Sequence, residues 1–190
     1  TFRCRTCYHG SSSRWFADAK ALGTNISDKA LMTAFDNDAD SLKQIEEIAD
    51  NLSEIYFAGG EPLLQKQHFD LLRWLVDQGR TDVDLLYNTC LSSLDFEKND
   101  LVPLWQNFRS INIEASIDAI GAEGALIRKG FDWDVFKANL KRLQKELPDA
   151  LLHFGVTVSA LNILQLVPLH KALVDECNIA AESFHFHAVQ

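Results

Sequence analysis

The segment Ile55-Tyr56-Phe57-Ala58-Gly59-Gly60-Glu61-Pro62 is the most informative stretch of the chain. Its first four residues are apolar, β-branched or aromatic, and such a run predicts a buried β-strand. Two glycines then bring bare backbone close to whatever binds there. The carboxylate of Glu61 follows at once and can hold an ammonium group. The stretch therefore predicts a strand that ends at a ligand site.

Other strand-like runs follow in the same pattern. We predict strands at residues 54–58, 83–89, 111–117, Leu151–Val158 and 183–188, separated by segments in which apolar residues recur with helical spacing. An extra helix is expected at residues 14–22, and the four tryptophans, Trp15 included, are expected to fill contacts between helices and sheet. Alternation of strand and helix predicts an α/β fold with a parallel sheet. Strands in sequence order, without a dinucleotide-binding glycine fingerprint, favour a partial TIM-like (βα)6 barrel over a doubly wound sheet.

The composition is typical of one globular domain, and we expect this domain to span residues 1–190. The chain is 47% hydrophobic and 24% charged, with a formal net charge of -9 and a pI near 5.0. Nucleic acid is disfavoured as a partner, because binding along a phosphate backbone requires many Lys and Arg side chains. Residues 150–169 lack charged groups, but polar residues, Gly155 and Pro168 interrupt them, so no membrane span is expected.

Four unevenly spaced cysteines, Cys4, Cys7, Cys90 and Cys177, do not form the pattern of a secreted disulfide framework. No secretory signal is expected ahead of residues 150–169 either. A reducing cytoplasm is therefore the expected setting.

Polar residues follow several predicted strands at their carboxyl ends, where parallel α/β folds bind ligands. These are Asn88, Ser116, Asp118 and Ser159. Each also has a structural interpretation, since asparagine, aspartate and serine commonly form turns.

The last predicted strand alternates Phe184 and Phe186 with His185 and His187. Side chains alternate between the two faces of a strand, so the two imidazoles share one face. If the phenylalanines meet the helices, both histidines face the inside of the barrel and line a cofactor or substrate pocket. Polar packing at a sheet edge is the alternative.

With its Cys4-X-X-Cys7 pair followed by Gly-Gly-Glu-Pro, the chain resembles the radical S-adenosylmethionine superfamily, whose signature is Cys-X-X-X-Cys-X-X-Cys. Counting back places the first cysteine immediately before Thr1. The chain starts at Thr1 and its only methionine is Met32, so we expect a fragment of a core domain that lacks the first strand and any C-terminal auxiliary domain. The Cys4-Arg5-Thr6-Cys7 loop with the following serines is most similar to members with a twitch or SPASM domain.

The resemblance implies two cofactors, a 4Fe-4S cluster on Cys4, Cys7 and the upstream cysteine, and S-adenosylmethionine. Reductive cleavage of S-adenosylmethionine would give a 5'-deoxyadenosyl radical that abstracts hydrogen from a substrate. A peptide or protein is the leading candidate for that substrate. An electron donor would be a further partner. In this family scheme the methionine amine is held at the strand end formed by Gly59, Gly60, Glu61 and Pro62. Asn88 and Ser116 would bind the ribose or carboxylate region and Arg128 the carboxylate. Asp118, Ser159, His185 and His187 complete the implied pocket.

Three alternatives stay open at the level of sequence. Cys90 is a conceivable substitute cluster ligand, although a small buried cysteine is the commoner case. A zinc module would use Cys4, Cys7 and His9 with a fourth ligand from elsewhere. A degenerate, non-catalytic interaction domain would keep the barrel and lose the cluster.

Overall fold

The computed structural model describes residues 3–10, 12–26 and 38–188, and for residues 38–42 it describes the backbone only. Thr1, Ser11 and Met32 lie outside this part of the chain. The strands are β1 (Arg3–Cys4), β2 (Glu54–Phe57), β3 (Asp84–Thr89), β4 (Asp95–Phe96), β5 (Asn99–Asp100), β6 (Ser110–Ser116), β7 (Arg128–Lys129), β8 (Leu151–Val158) and β9 (Phe184–Ala188). The helices are α1 (Phe16–Ala21), α2 (Asp38–Ile48), α3 (Lys66–Asp77), α4 (Val102–Trp105), α5 (Gly121–Ile127), α6 (Trp133–Glu146) and α7 (Leu166–Lys171), the last of which continues as a π-helical turn, Ala172–Glu176.

Five strands form one parallel sheet in the order β2-β3-β6-β8-β9. All five predicted strands are confirmed, with ends that differ by no more than one residue. The spatial order equals the sequence order, so the sheet has no point at which the order reverses. A doubly wound sheet requires such a reversal, whereas a barrel does not. The predicted partial TIM-like barrel is therefore confirmed.

Strand β6 shows how the two faces of the sheet differ. Ile111, Ile113 and Ala115 are buried, while the intervening Asn112 and Glu114 are only partly buried. β3 alternates in the same way. Strands of fully covered parallel sheets are usually apolar on both faces. Here one face carries helices and the other, which we call the luminal face, is polar and open.

The helices cover the apolar face and complete a single hydrophobic core. α3 contributes Phe69, Leu72 and Leu75, and α6 contributes Phe136 and further leucines. The carboxylate of Asp132, the N-cap residue of helix α6, accepts hydrogen bonds from the first turn at 2.9 and 3.0 Å and so fixes the start of this helix. Within the described residues no helix combines the length and apolar character needed to cross a bilayer.

A short hairpin, β4 and β5, interrupts the alternation between β3 and β6 and was not predicted. Its turn residues Glu97 and Lys98 both have positive φ, 46° and 68°. Two-residue hairpin turns need this backbone, but asparagine and glycine usually supply it. The sequence therefore lacks the usual hairpin signal.

A polar network lies inside the core beside β3. The imidazole Nε2 of His68 lies 3.0 Å from Tyr87 Oη, which also accepts a hydrogen bond from Trp105 Nε1 at 2.9 Å. His68 Nδ1 has no hydrogen-bond partner in the described structure. Burial lowers the pKa of His68 from 6.5 to about 4. The imidazole is therefore kept neutral because a charged ring would lose its hydration.

We expect this histidine to weaken the fold in mild acid. The unfolded chain binds a proton at His68 as pH falls through 6.5, whereas the folded chain does so only near 4, so stability is lost between these values. Urea unfolding at pH 7 and pH 5 should show the wild type losing about 2 kcal/mol more than His68→Gln, which does not titrate. Equal losses in both proteins would contradict the assignment.

Candidate functional site

The two motif cysteines lie in a tight turn at the edge of the molecule's main sheet. Cys7 N donates to Cys4 O at 3.2 Å, and the short strand β1 pairs antiparallel with β7 so that Cys4 faces Arg128. Arg5 fixes the turn from its other side, since its backbone N and its Nε each donate at 2.8 Å to carbonyls at the end of α5. The turn is thus held by contacts to backbone carbonyls, none of which involves the two sulfurs.

Trp15 fixes the same turn, in a contact between its 3-10 helix and strand β1. Its indole Nε1 donates to Cys4 O at 3.0 Å. The guanidinium of Arg3 stacks on the indole, 4.1 Å from the ring centre, and forms an ion pair with Asp18 of α1. Helix α1 and the 3-10 turn before it, which match the predicted extra helix, therefore serve to position the cysteine turn.

The two thiols act as a pair that shares one proton. The hydrogen bond from Cys4 lowers the pKa of Cys7 to about 6, helped by the positive charge of Arg128 and opposed by burial. The same hydrogen bond, together with burial, raises the pKa of Cys4. A thiolate is the form that ligates a metal, so Cys7 is ready to bind at neutral pH.

Behind the cysteine turn, Arg128 forms a buried, two-pronged ion pair with Asp118. Arg128 Nε lies 2.7 Å from Asp118 Oδ2 and Nη2 lies 3.1 Å from Oδ1, while Nη1 lies 3.4 Å from the sulfur of Cys90. The side chains are 11% and 0% exposed. The resemblance assigned Arg128 to a ligand carboxylate; in this structure a carboxylate of the chain itself already occupies two of its donors.

Glu61 is also engaged by the protein. Its carboxylate, fully buried, accepts hydrogen bonds from Thr89 Oγ1, from Cys90 N at 2.8 Å and from Leu63 N at 3.4 Å. Burial raises the pKa of Glu61, and these hydrogen bonds partly offset the rise. In this structure the Glu61 side chain ties the end of β2 to the end of β3, and its contact with a ligand ammonium stays a prediction of the family resemblance.

Gly59 and Gly60 do have the open backbone expected of them. Both have positive φ, 81° and 59°, and a Cβ on Gly59 would meet no atom within 4 Å. None of the backbone hydrogen bonds between described residues ends on either carbonyl. Pro62, which follows, is buried at the start of the 3-10 turn Pro62–Leu64. Neither carbonyl thus accepts from a backbone N–H of the described residues, and the space beside Gly59 is open.

A third metal ligand does not join the cysteine pair among residues 3–10, 12–26 and 38–188, where no group of three histidine, cysteine, aspartate or glutamate side chains is arranged to hold a metal ion. Cys90 does not form such a group with Cys4 and Cys7 in this part of the chain, and burial raises its pKa to about 11. His9 does not complete a site with Cys4 and Cys7 either.

Ser159 is used inside its own loop. Its backbone N donates to Asn162 Oδ1 at 2.7 Å and its hydroxyl lies 3.2 Å from the same atom. Asn162, fully buried, in turn donates to the carbonyls of Asp118 at 3.0 Å and Thr157 at 2.9 Å. Ser116, by contrast, ends β6 on the luminal face, two residues beyond Glu114. Ser159 therefore stabilises the loops at the carboxyl ends of the strands, which we call the rim. Ser116 faces the lumen.

A cavity of about 320 Å³ opens on the luminal face, lined chiefly by Tyr56, Asn88, Asn112, Glu114, His153 and His185. Asn88 donates its amide to Glu114 Oε2 at 3.1 Å and accepts from Tyr56 Oη at 2.8 Å. Across the cavity, His185 Nδ1 and His187 Nε2 lie 3.3 and 3.6 Å from Glu114 Oε1. The expectation that both histidines face the barrel interior is met, because Phe184 packs against Phe154 on the other face.

Sequence reasoning missed Tyr56, Asn112, Glu114 and His153. A signal was present in the alternation Ile111-Asn112-Ile113-Glu114, which is unusual for a parallel strand covered on both faces. It marks an open polar face. The partners across the strands depend on register, which the pattern does not contain.

Comparisons with known proteins agree with the fold. SuiB of Streptococcus suis bound to S-adenosylmethionine superposes with a TM-score of 0.63 at 12% identity, covering 100% of this chain and 38% of SuiB. SuiB bound to the precursor peptide SuiA gives 0.58 at 12% identity, covering 100% and 37%. Histidine-tagged anSMEcpe with bound AdoMet gives 0.61 at 15% identity, covering 99% and 46%.

At these identities the likeness shows the fold alone. This chain spans less than half the length of each of these proteins. No protein-family model and no curated protein matches the sequence.

We expect the Arg128 ion pair to be the most costly single contact at the rim. Arg128→Met leaves the buried charge of Asp118 without its partner and should destabilise the protein by about 3–5 kcal/mol in urea unfolding. Arg109→Met breaks the exposed pair with Asp84, at 2.7 Å, and should cost about 1 kcal/mol or less. The double variant Asp118→Leu, Arg128→Met should recover much of the loss; equal effects of the two single substitutions would refute this account.

Proposed function

We propose that this chain is the core of a radical S-adenosylmethionine enzyme. The observation that carries the proposal is the continuous network from the cysteine turn to the glycine strand end. Cys4 faces Arg128, Arg128 contacts Cys90, and Cys90 N donates to Glu61, which directly follows Gly59 and Gly60. A pair of metal-binding thiols and a pair of free carbonyls are thus positioned by the same rim.

The residues present fit part of the implied cluster site. Cys4 and Cys7 provide two soft ligands, and one of them is deprotonated near pH 6. The third thiolate is assigned to a cysteine immediately before Thr1, in line with the Cys-X-X-X-Cys-X-X-Cys resemblance. When bound, a 4Fe-4S cluster with one open iron supplies the electron that cleaves the carbon-sulfur bond of S-adenosylmethionine. That electron comes from a donor protein or reductant.

The chain's own part is to hold and orient the cofactor. The carbonyls of Gly59 and Gly60 accept from the methionine amine, while Asn88 and Ser116 serve the ribose or carboxylate region from the luminal face. Glu61, Asp118, Arg128 and Ser159 hold the strand ends in place, and only Nη1 of Arg128 is outside its ion pair. Neighbours with S-adenosylmethionine bound to the same fold support this assignment.

Substrate and setting are further parts of the proposal. A neighbour bound to a precursor peptide supports a peptide or protein substrate. Similarity of the cysteine loop to members with a twitch or SPASM domain supports a longer, peptide-modifying enzyme. All four cysteines are free thiols, which suits a reducing cytoplasm.

Cleavage of the cofactor tests the proposal. Full-length protein, reconstituted with iron and sulfide without oxygen and reduced with dithionite, should convert S-adenosylmethionine to 5'-deoxyadenosine and methionine, measured by chromatography. Cys4→Ala and Cys7→Ala should each lower the bound iron and the brown absorption by one cluster and abolish the product. Cys177→Ala, outside the site, should retain both. A loaded wild type that binds the cofactor and forms no 5'-deoxyadenosine would favour the non-catalytic domain.

The glycine strand end gives a second test. An alanine at Gly59 must adopt a left-handed backbone that costs about 1–2 kcal/mol, so we expect the carbonyl to shift and the affinity for S-adenosylmethionine to fall about tenfold. Calorimetric titration of the reconstituted protein measures this. Gly79→Ala places the same strain, at φ 71°, at the end of α3 and should leave the affinity unchanged. Equal affinities in both variants would remove Gly59 from the pocket.

A further inference from the structure

The luminal cavity has an unusual charge pattern. Among its lining residues Glu114 is the one carboxylate, and lysine and arginine are absent from the lining. Its other polar groups are phenol, amide and imidazole, which carry acceptor atoms and ring faces. A cavity of this kind is suited to a cation, because a carboxylate and aromatic faces both attract positive charge.

Neighbouring residues fix the position of the Glu114 carboxylate. A Cβ on Gly155 of the neighbouring strand would lie 2.8 Å from Glu114 Oε1, so the carboxylate occupies space that only glycine leaves open. Asn88 orients Oε2 from the other side at 3.1 Å. Oε1 therefore remains turned toward His185 and the cavity.

The imidazoles are also organised. His185 Nδ1 lies 3.3 Å from Glu114 Oε1, and its ring stacks on that of His153 with the centres 5.2 Å apart and the planes 15° from parallel. His153 Nδ1 is buried and lacks a hydrogen-bond partner in the described structure. A polar wall with an unpartnered nitrogen is typical of a site that a ligand completes.

We propose that Glu114 binds the basic side chain, lysine or arginine, of the peptide substrate. This inference rests on the proposed function, and it names the substrate class of that enzyme. The net charge of -9 favours the same class, because a negative protein attracts a basic peptide over longer distances. Tyr56 and His185 would flank the cation, and Asn88 would keep the carboxylate turned toward it.

Binding of small probes to the reconstituted full-length protein tests the inference without turnover. Two probes are titrated into the protein while the histidine ring signals are followed by NMR. They are Nα-acetyl-lysine N-methylamide, whose ε-ammonium is charged, and its uncharged counterpart Nα-acetyl-norleucine N-methylamide. We expect the lysine probe to shift the signals of His153 and His185, assigned with His185→Gln, and the norleucine probe to bind at least tenfold more weakly.

Glu114→Gln should weaken the lysine probe at least tenfold, since a charged contact is lost. Glu54→Gln removes the same charge from the amino end of β2, outside the cavity lining, and should leave binding unchanged. Should Glu114→Gln fail to fold, Gly155→Ala is the second variant, because its Cβ displaces the carboxylate, and it should weaken the probe as well.

Several results would overturn the inference. The first is that the lysine and norleucine probes bind equally well. The second is that Glu114→Gln and Gly155→Ala bind the lysine probe as the wild type does. The third is that Glu114→Gln loses affinity for S-adenosylmethionine but not for the lysine probe. Cofactor cleavage without peptide separates the two proposals. If Glu114→Gln still forms 5'-deoxyadenosine while wild type ignores the lysine probe, only this inference fails; if wild type forms none, the proposed function fails.

Discussion

The buried ion pair between Arg128 and Asp118 is the contact on which the site depends. It joins three parts of the chain that are remote in sequence, because Arg128 pairs through β7 with the cysteine turn, Asp118 follows β6, and Asp118 Oδ1 also accepts from Thr157 N of β8 at 2.9 Å. Two charges removed from water must satisfy each other in good geometry, and this pair does so with two hydrogen bonds. The consequence of such burial is that neither residue can be lost alone.

Glu61 extends the same principle to the other side of the rim. Its buried carboxylate needs donors, and it finds them in Thr89 and Cys90 at the end of β3. Strand ends that would otherwise be independent loops are therefore fixed to one another. This rigidity suits the site proposed above, since positioning is most of what a protein adds to cofactor chemistry.

The sheet is divided by face. Helices cover one face and build the core, while the luminal face keeps polar side chains around Glu114. This division explains why the chain can be stable while presenting a carboxylate, imidazoles and amides to a cavity. It also separates the two thiols of Cys4 and Cys7, beside the strand ends, from the acceptor atoms of the luminal face.

The sequence by itself determined the five strands of the parallel sheet and their order, because hydrophobic periodicity and helix signals are local. It also marked Cys4, Cys7 and the Gly59-Gly60 strand end, whose motif spacing is contained within a few residues. Only the tertiary structure showed that Arg128 and Glu61 have partners within the protein, since these partners are 10 and 28 residues away. The hairpin β4-β5 and the grouping of Glu114 with His185 also escaped prediction. The hairpin lacks the usual turn residues, and pairing across strands depends on register, which is set when the whole sheet forms.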